Sequence, residues 1–485
     1  MRLIIDSKYS LRGWYKSPTG VLNEETKEAR FVDKPTYLFL LKCDGAHDID
    51  LDSLSEDEKK IYEEALEAGV IREAIFGEYI KPEQEYKTYP ARYRRTVHWS
   101  ITGACNLKCR HCFMSAPHAK HGSPSLKQLL NVADQLAECG VFTAGITGGE
   151  PLIRGDFFQL IDALRERNIN VNVIYTNGWL VDENLLDELE KRKMHPAFQL
   201  SFDGVGVHDF LRGIDGAEEK TLNALKLLQE RKYTVSVSMS MHRKNASTLR
   251  ETVKLIASYG VKSMKCGKIM ELGEWVDPDL KDIQLSRQES LELFEKYVPQ
   301  YFEDNAPISI MLDDTFMYTP GDSHWDLYDV RECPVEDEND VLSCGVTDKN
   351  FYIGADGMVA PCMGMCDCGF ASHFPNLFET PLREILSDSE YTDLCATTVG
   401  DIRNHNPKCR SCKFVDRCTG GCRNTVLLEK DDYRGIDEEI CYFFENGWEE
   451  RFKKAAEEPF KAYLERNGIN QDNKEKERTT EIDMC

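Results

Sequence analysis

The sequence predicts an α/β protein: a partial, TIM-like (β/α)6 barrel set between a small N-terminal module and a cysteine-rich C-terminal domain. Three observations carry this reading. From Thr96 onward, apolar β-rich runs alternate with helical segments, the pattern of a parallel sheet. Residues suited to chemistry stand directly after several of those runs, as they do at the C-terminal face of β/α barrels. Cysteines then crowd a turn-rich zone from about Cys333 to Phe452.

Residues 1 to about 90 form the first unit. "SLRGWYKS" and "EARFVDKP" read as short strands around a turn at "SPTG". "PTYLFLLKC" and "SEDEKKIYEEALEAGVI" carry helical periodicity, with Ser55 as N-cap. Strands followed by short helices predict a winged-helix-like module. The polar linker "KPEQEYKTYPARYRR" holds two prolines and leads into the barrel, residues 96–310. Its strands are "TVHWSIT", "VFTAGIT", "VNVIYT", "AFQLSF", "TVSVSMSM" and "VKSMKCG"; the intervening helices include "SLKQLLNVADQLAEC", "DFFQLIDALRER", "EEKTLNALKLLQER" and "ASTLRETVKLIASYG". The cysteine-rich domain spans 333–450, and a polar tail, expected to be mobile, runs over 467–485.

Bulk composition narrows the function classes. With 41% hydrophobic and 10% aromatic residues, the 485-residue chain can build several cores. A net charge of −24 argues against nucleic acid as the main partner. The start "MRLIIDSKYS" has no apolar stretch of signal-peptide or membrane-spanning length, so a cytoplasmic protein with no membrane partner is expected. In a reducing compartment, clustered members of a set of 18 cysteines are better read as metal ligands than as disulfides.

"ITGACNLKCRHCFMSAP" places Cys105, Cys109 and Cys112 in a C-x3-C-x2-C spacing just after the first barrel strand. Three thiolates hold three irons of a [4Fe–4S] cluster and leave the fourth open to bind and activate a ligand. The competing reading is a zinc site completed by His111 or His118. The second strand ends in "GITGGEPL". Gly148 and Gly149 allow close backbone approach there, Glu150 adds a carboxylate, and Pro151 stiffens the turn.

C-x3-C-x2-C after strand one and GGEP after strand two resemble the radical S-adenosylmethionine (SAM) superfamily. The resemblance continues through "YTNG" and "SFDGVGVHDFLRG" and covers about residues 96 to 300. It implies that Cys105, Cys109 and Cys112 carry the catalytic cluster, whose open iron is chelated by the methionyl amino and carboxylate groups of SAM. One electron then cleaves SAM to a 5′-deoxyadenosyl radical that abstracts a substrate hydrogen. It further implies that Gly148, Gly149, Glu150 and Pro151 bind the methionyl amino group and that Ser201 and Arg212 are polar SAM contacts. Asn177 is either a further contact or a turn residue. The family usually has Tyr or Phe before the third cysteine; here it is His111, which can still stack on adenine.

Downstream, "CGVTDKNFYIGADGMVAPC" and "CRSCKFVDRCTGGC", with Cys441 after a gap, resemble the SPASM domain, an auxiliary-cluster domain of radical SAM enzymes. The alternative is one zinc ribbon plus core cysteines. The resemblance implies a distal cluster on Cys409, Cys412, Cys418 and Cys441 and a proximal one on Cys344, Cys362 and Cys422, for three [4Fe–4S] clusters in all. The eighth auxiliary ligand is Cys333, Cys366 or Cys368, or the position is open to a substrate thiol. Cys266, ending the sixth strand, is either packed or facing the cavity.

SPASM enzymes mostly modify peptides or proteins, and the N-terminal unit is similar in pattern to peptide-recognition modules of ribosomal peptide maturases. The expected function is therefore a peptide maturase that forms a thioether or carbon–carbon cross-link in a ribosomal precursor. Its leader would bind the N-terminal module, and an electron donor such as flavodoxin or ferredoxin would serve the clusters. The alternatives are a formylglycine-forming sulfatase maturase and, from another class, a non-catalytic zinc-binding adaptor.

Overall fold

The computed structural model describes residues 1–276, 278–327 and 330–470. Its N-terminal part contains β1 (Arg2–Ile5), β2 (Tyr9–Trp14), β3 (Ser17–Asn23), β4 (Ala29–Phe31), α1 (Lys34–Leu40), β5 (Asp44–Asp48), α2 (Glu56–Glu67), β6 (Ile71–Glu73) and β7 (Lys87–Thr88). These strands make two small sheets, ordered β5-β1-β6 and β4-β3-β2-β7, so β4 is an edge strand. The two helices fall where their periodicity placed them. Ser55 caps α2 in a capping box: its Oγ accepts from Glu58 N at 3.2 Å, and Glu58 returns the bond to Ser55 N at 3.1 Å. The expected turn at "SPTG" lies one step earlier. Trp14 pairs with Ser17, and Lys16 takes the left-handed φ of 61°, which pulls Ser17–Gly20 into β3.

The barrel follows, with all six expected strands: β8 (Thr96–Ser100), β9 (Thr143–Thr147), β10 (Asn170–Thr176), β11 (Ala197–Ser201), β12 (Val235–Met241) and β13 (Ser263–Lys268). Between them run α3 (Leu126–Glu138), α4 (Phe157–Glu166), α5 (Glu183–Lys191), α6 (His208–Arg212), α7 (Ala217–Glu230) and α8 (Leu249–Ser258). The sheet extends one unit beyond the six expected. A further helix, α9 (Arg287–Glu303), returns the chain to β14 (Ser309–Leu312), which pairs in parallel with β13. The antiparallel strands β15 (Phe316–Tyr318) and β16 (Asp326–Leu327) then close that side of the sheet.

Along β12 burial alternates strictly. Val235, Val237, Met239 and Met241 face the helices and join the main core with Leu225, Leu228, Val253 and Ile256. Each such fully buried side chain contributes roughly 1.5–3 kcal/mol of hydrophobic stabilisation. Ser236, Ser238 and Ser240 face the other way and stay half-open, as do Gln199 and Ser201 on β11. On these two strands the inward face is thus polar and partly open. Cys266 lies on the buried outer face, fully enclosed in the main core.

The C-terminal region docks onto this sheet as an extra strand pair, β17 (Asn350–Ile353) and β18 (Val359–Ala360). β17 lies parallel to β8, on the side opposite β9. The helix Trp448–Asn467 packs back on the barrel, with the Phe302 and Phe460 rings 5.0 Å apart. Of the tail expected over 467–485, residues 471–485 lie outside the described residues.

Candidate functional site

The loop after β8 is fastened to the loop after β9 by backbone hydrogen bonds. Ile101 N donates to Thr147 O at 2.9 Å, Gly149 N to Thr102 O at 2.7 Å, and Glu150 N to Ala104 O at 2.9 Å. The two glycines are required by that contact. A Cβ at Gly148 would sit 2.5 Å from Thr102 O, and one at Gly149 would sit 2.3 Å from Ala104 O. Gly148 also has φ +154°. The GGEP stretch therefore lies flush against the backbone that leads into Cys105.

Cys105, Cys109 and Cys112 come together on the resulting ledge. Burial pushes the Cys105 thiol up to about 12, with the charges of Cys109, Glu150 and Cys112 adding to it. Cys112 is raised in the same way, by burial and then by Cys109. The surroundings are built to receive thiolate sulfur. Leu107 N donates to Cys105 Sγ at 3.4 Å and Ala116 N to Cys112 Sγ at 3.3 Å, while Arg212 Nη1 approaches Cys109 Sγ at 3.7 Å. Buried thiols resist ionisation unless a metal's charge compensates, and hydrogen bonds to cluster sulfur are a normal part of iron–sulfur sites. The residues present fit a cluster held by three thiolates.

Glu150 is fully buried. Its Oε1 and Oε2 accept from Thr176 Oγ1 at 2.9 and 3.0 Å, and further bonds come from Asn177 N at 2.8 Å and Leu152 N at 3.1 Å. Burial raises its carboxyl to about 7, opposed by these donors. Pro151 opens the short turn Pro151–Ile153 that Glu150 caps. Asn177 takes the turn role and also reaches the cysteine loop. Its Oδ1 accepts from Trp179 N at 2.9 Å, a turn bond, and its Nδ2 reaches Asn106 Oδ1 at 2.8 Å and Cys105 Sγ at 3.7 Å.

Arg212 is anchored from below by a residue that the sequence reading passed over. Asp203 Oδ2 lies 2.7 Å from Arg212 Nε, and both side chains are buried. Burial alone would raise the Asp203 carboxyl; Arg212 first and then His208 hold it well below the usual range. His208 Nδ1 accepts from Asp203 N at 2.9 Å, which orients the ring. The signal was present in "DGVGVHDFLR", where Asp203, His208 and Arg212 share one short run. His111 faces the same cluster. Burial, then Arg212, pushes it down to about 3, so it is neutral, and its buried Nδ1 has no partner among the described residues. Ser201 ends β11 on the half-open inner face.

The C-terminal cysteines sort into two groups. Cys441 is raised to about 12 by burial, with Cys418 and Cys409 adding, and Cys409 is raised by burial and then by Cys412. Burial raises Cys422, with Asp314, Asp437 and Cys344 adding, and burial raises Tyr433, with Cys395, Cys344 and Cys362 adding. Two buried guanidiniums tie the loops around them. Arg403 Nη2 donates to Cys333 O at 2.9 Å and Cys418 O at 3.3 Å. Arg423 Nη1 donates to Tyr433 O at 3.0 Å and Gly435 O at 2.9 Å. Asp437 Oδ2 accepts from Cys422 N at 2.8 Å.

Comparison with known proteins agrees with this geometry. Residues 99–256 match the radical SAM superfamily, and residues 344–413 match SPASM, an iron–sulfur cluster-binding domain. The chain is 26% identical over 354 residues to the antilisterial bacteriocin subtilosin biosynthesis protein AlbA of Bacillus subtilis (strain 168), covering 72% of this chain and 70% of that protein. Among solved structures, Streptococcus suis SuiB bound to S-adenosylmethionine superposes with a TM-score of 0.62 at 17% identity, covering 90% of this chain and 99% of that one. SuiB bound to precursor peptide SuiA gives 0.58 at 17% identity, with coverage of 90% and 99%. No helix among the described residues is long and apolar enough to cross a membrane. The cysteine ledge and the loop zipped against it thus lie in a radical SAM domain, and the docked C-terminal strand pair lies in a SPASM iron–sulfur cluster-binding domain.

Proposed function

We propose that this enzyme is a cytoplasmic peptide maturase that abstracts hydrogen from a ribosomally made precursor and forms a thioether or carbon–carbon cross-link. The observation that carries the reading is the ledge of Cys105, Cys109 and Cys112 just after β8, in a sheet whose inward face is polar and partly open on β11 and β12, with the C-terminal cysteines docked beside the same sheet. When bound, SAM and its cluster supply the radical. The chain's own residues position the reactants. Cys105, Cys109 and Cys112 hold the cluster. Gly148 to Pro151 present the backbone edge for the methionyl amino group, and Asn177 steadies Cys105. Arg212, oriented by Asp203, offers its guanidinium to the methionyl carboxylate, and Ser201 adds a polar contact from β11. Cys409, Cys412, Cys418 and Cys441 would hold one further [4Fe–4S] cluster and Cys344, Cys362 and Cys422 another, and a donor such as flavodoxin or ferredoxin would supply electrons.

The substrate class rests on residues 1–90, read as a winged-helix-like recognition module beside a barrel over 96–310 and a SPASM domain over 333–450. A groove of about 630 Å³ runs between β3, the edge strand β4 and α1, lined by Thr19, Phe31, Val32, Tyr37 and Leu38 among others. An edge strand beside an apolar groove suits an extended peptide that adds a strand and seats side chains in the groove. A relative named for bacteriocin biosynthesis and a fold neighbour seen with a precursor peptide support the same class.

Leu38 is 47% exposed, so Leu38→Glu changes the groove without disturbing the core. Anisotropy of a labelled precursor peptide on the full-length chain should show a loss of ~10-fold or more, about 1.4 kcal/mol. Equal affinity would remove the recognition role and favour the sulfatase-maturase alternative.

A further inference from the structure

Two four-iron clusters have eight corners, and the C-terminal cysteines assigned to them number seven. Cys333, Cys366 and Cys368 are each engaged elsewhere. Cys333 N donates to Asp416 O at 2.8 Å, so Cys333 stands beside the distal loop, which already has four cysteines. Cys366 and Cys368 are buried in an apolar cluster with Met365 and Phe374; burial raises both thiols, with the charges of Asp367 and Asp356 adding at Cys366 and that of Asp431 at Cys368. Cys368 Sγ donates to Met365 O at 3.3 Å.

Asn350 is placed differently. It opens β17, six residues after Cys344. β17 and β18 pair Tyr352 with Ala360. Carried two residues further, that register sets Asn350 opposite Cys362, whose backbone is still extended at φ −148° and ψ 163°. Side chains alternate along a strand, so Asn350 shares the face of Tyr352. That face belongs to the cluster of Ala360, Tyr433, Cys366 and Cys362, and burial raises the Tyr433 hydroxyl, with the charges of Cys395, Cys344 and Cys362 adding. The Asn350 side chain is only 8% exposed, and its Oδ1 is buried with no hydrogen-bond partner among the described residues. A buried carbonyl oxygen left unpaired is costly, and such orphans ask for a ligand.

We infer that Asn350 supplies the eighth corner: its carboxamide oxygen caps the iron that Cys344, Cys362 and Cys422 leave without a thiolate. The inference rests on the proximal set proposed above. A neutral oxygen in place of a thiolate leaves the cluster one unit less negative, which favours its reduced form. The oxygen is also a weaker donor than sulfur, so an incoming thiolate can displace it. Asp348 Oδ1, in the preceding turn, is likewise buried without a partner, but its residue is half-exposed and lies ahead of the strand pair.

The test uses the full chain with Cys105, Cys109 and Cys112 replaced by Ala, so that only auxiliary clusters contribute, reconstituted anaerobically. Iron near eight per chain, four per cluster, establishes the two-cluster parent; iron near four removes the proximal set and this assignment with it. In the eight-iron parent, potentiometric titration followed by electron paramagnetic resonance should show Asn350→Cys moving one cluster to lower potential and leaving the other in place. Asn350→Asp, nearly the same size, should move the same cluster in the same direction. 2-Mercaptoethanol should alter that cluster's spectrum in the Asn350 parent and not in Asn350→Cys. Unmoved potentials in both variants at full iron content, or a shift produced by Asp348→Asn instead, would overturn the assignment.

Discussion

The two cysteine regions are built by opposite routes. Cys105, Cys109 and Cys112 lie within eight positions, on one loop pinned by three backbone bonds to the neighbouring loop. The C-terminal cysteines span Cys344 to Cys441, and they meet only because β17 joins β8 and two buried arginines gather loops from distant points. The first site is a local feature of a strand end. The second is a product of tertiary assembly, and it should fail separately.

The largest effect should come from removing the local ligands. In the Cys105, Cys109, Cys112→Ala variant, 5′-deoxyadenosine release under dithionite should fall to background while about eight irons remain, four per auxiliary cluster. Release at the normal rate would show that the ledge does not bind SAM. Next is Gly149→Val, which forces side-chain carbon into Ala104 O. Overpacking of this kind costs ~1–3 kcal/mol or more, and SAM cleavage should drop at least ~10-fold, about 1.4 kcal/mol in barrier, with auxiliary iron unchanged. Parallel loss of auxiliary iron would mean that the two regions are not independent.

Arg423→Met probes the assembled region. It strips donors from the carbonyls of Tyr433 and Gly435, and leaving buried acceptors unpaired costs ~1–3 kcal/mol each. Auxiliary iron should fall while uncoupled SAM cleavage persists; retention of all auxiliary iron would contradict the organising role given to Arg423. The smallest effect is expected from Ser125→Ala. This residue caps α3 in a capping box with Gln128, so a loss of ~1 kcal/mol in thermal or denaturant stability is expected, with both sites loaded as before. A selective loss of iron from either site would tie that helix to it.

The same contrast explains what could be read in advance. The six barrel strands and the helices behind them announce themselves by alternation, because each strand must bury one face. "SIML" at β14 did not, being only four residues long. The turn at Tyr15–Lys16 was hidden by the stronger turn residues of "SPTG" just downstream. At the site, Cys105, Cys109, Cys112 and the GGEP run were visible because spacing along the chain is their geometry. Asp203 was not, since its importance lies in whom it meets: Arg212 and His208 across a turn. The role of Asn350 depends on a strand register that no local pattern encodes.

The seam between β8 and β17 has a consequence for protein handling. β8 begins the chain's run of barrel strands, and without β17 its outer backbone would have no pairing partner. Bare strand edges recruit other chains. A version shortened before Cys344 would thus carry a sticky flank along its barrel and should precipitate or self-associate even with the cysteine ledge intact. The auxiliary domain serves as a guard against aggregation as well as a holder of iron.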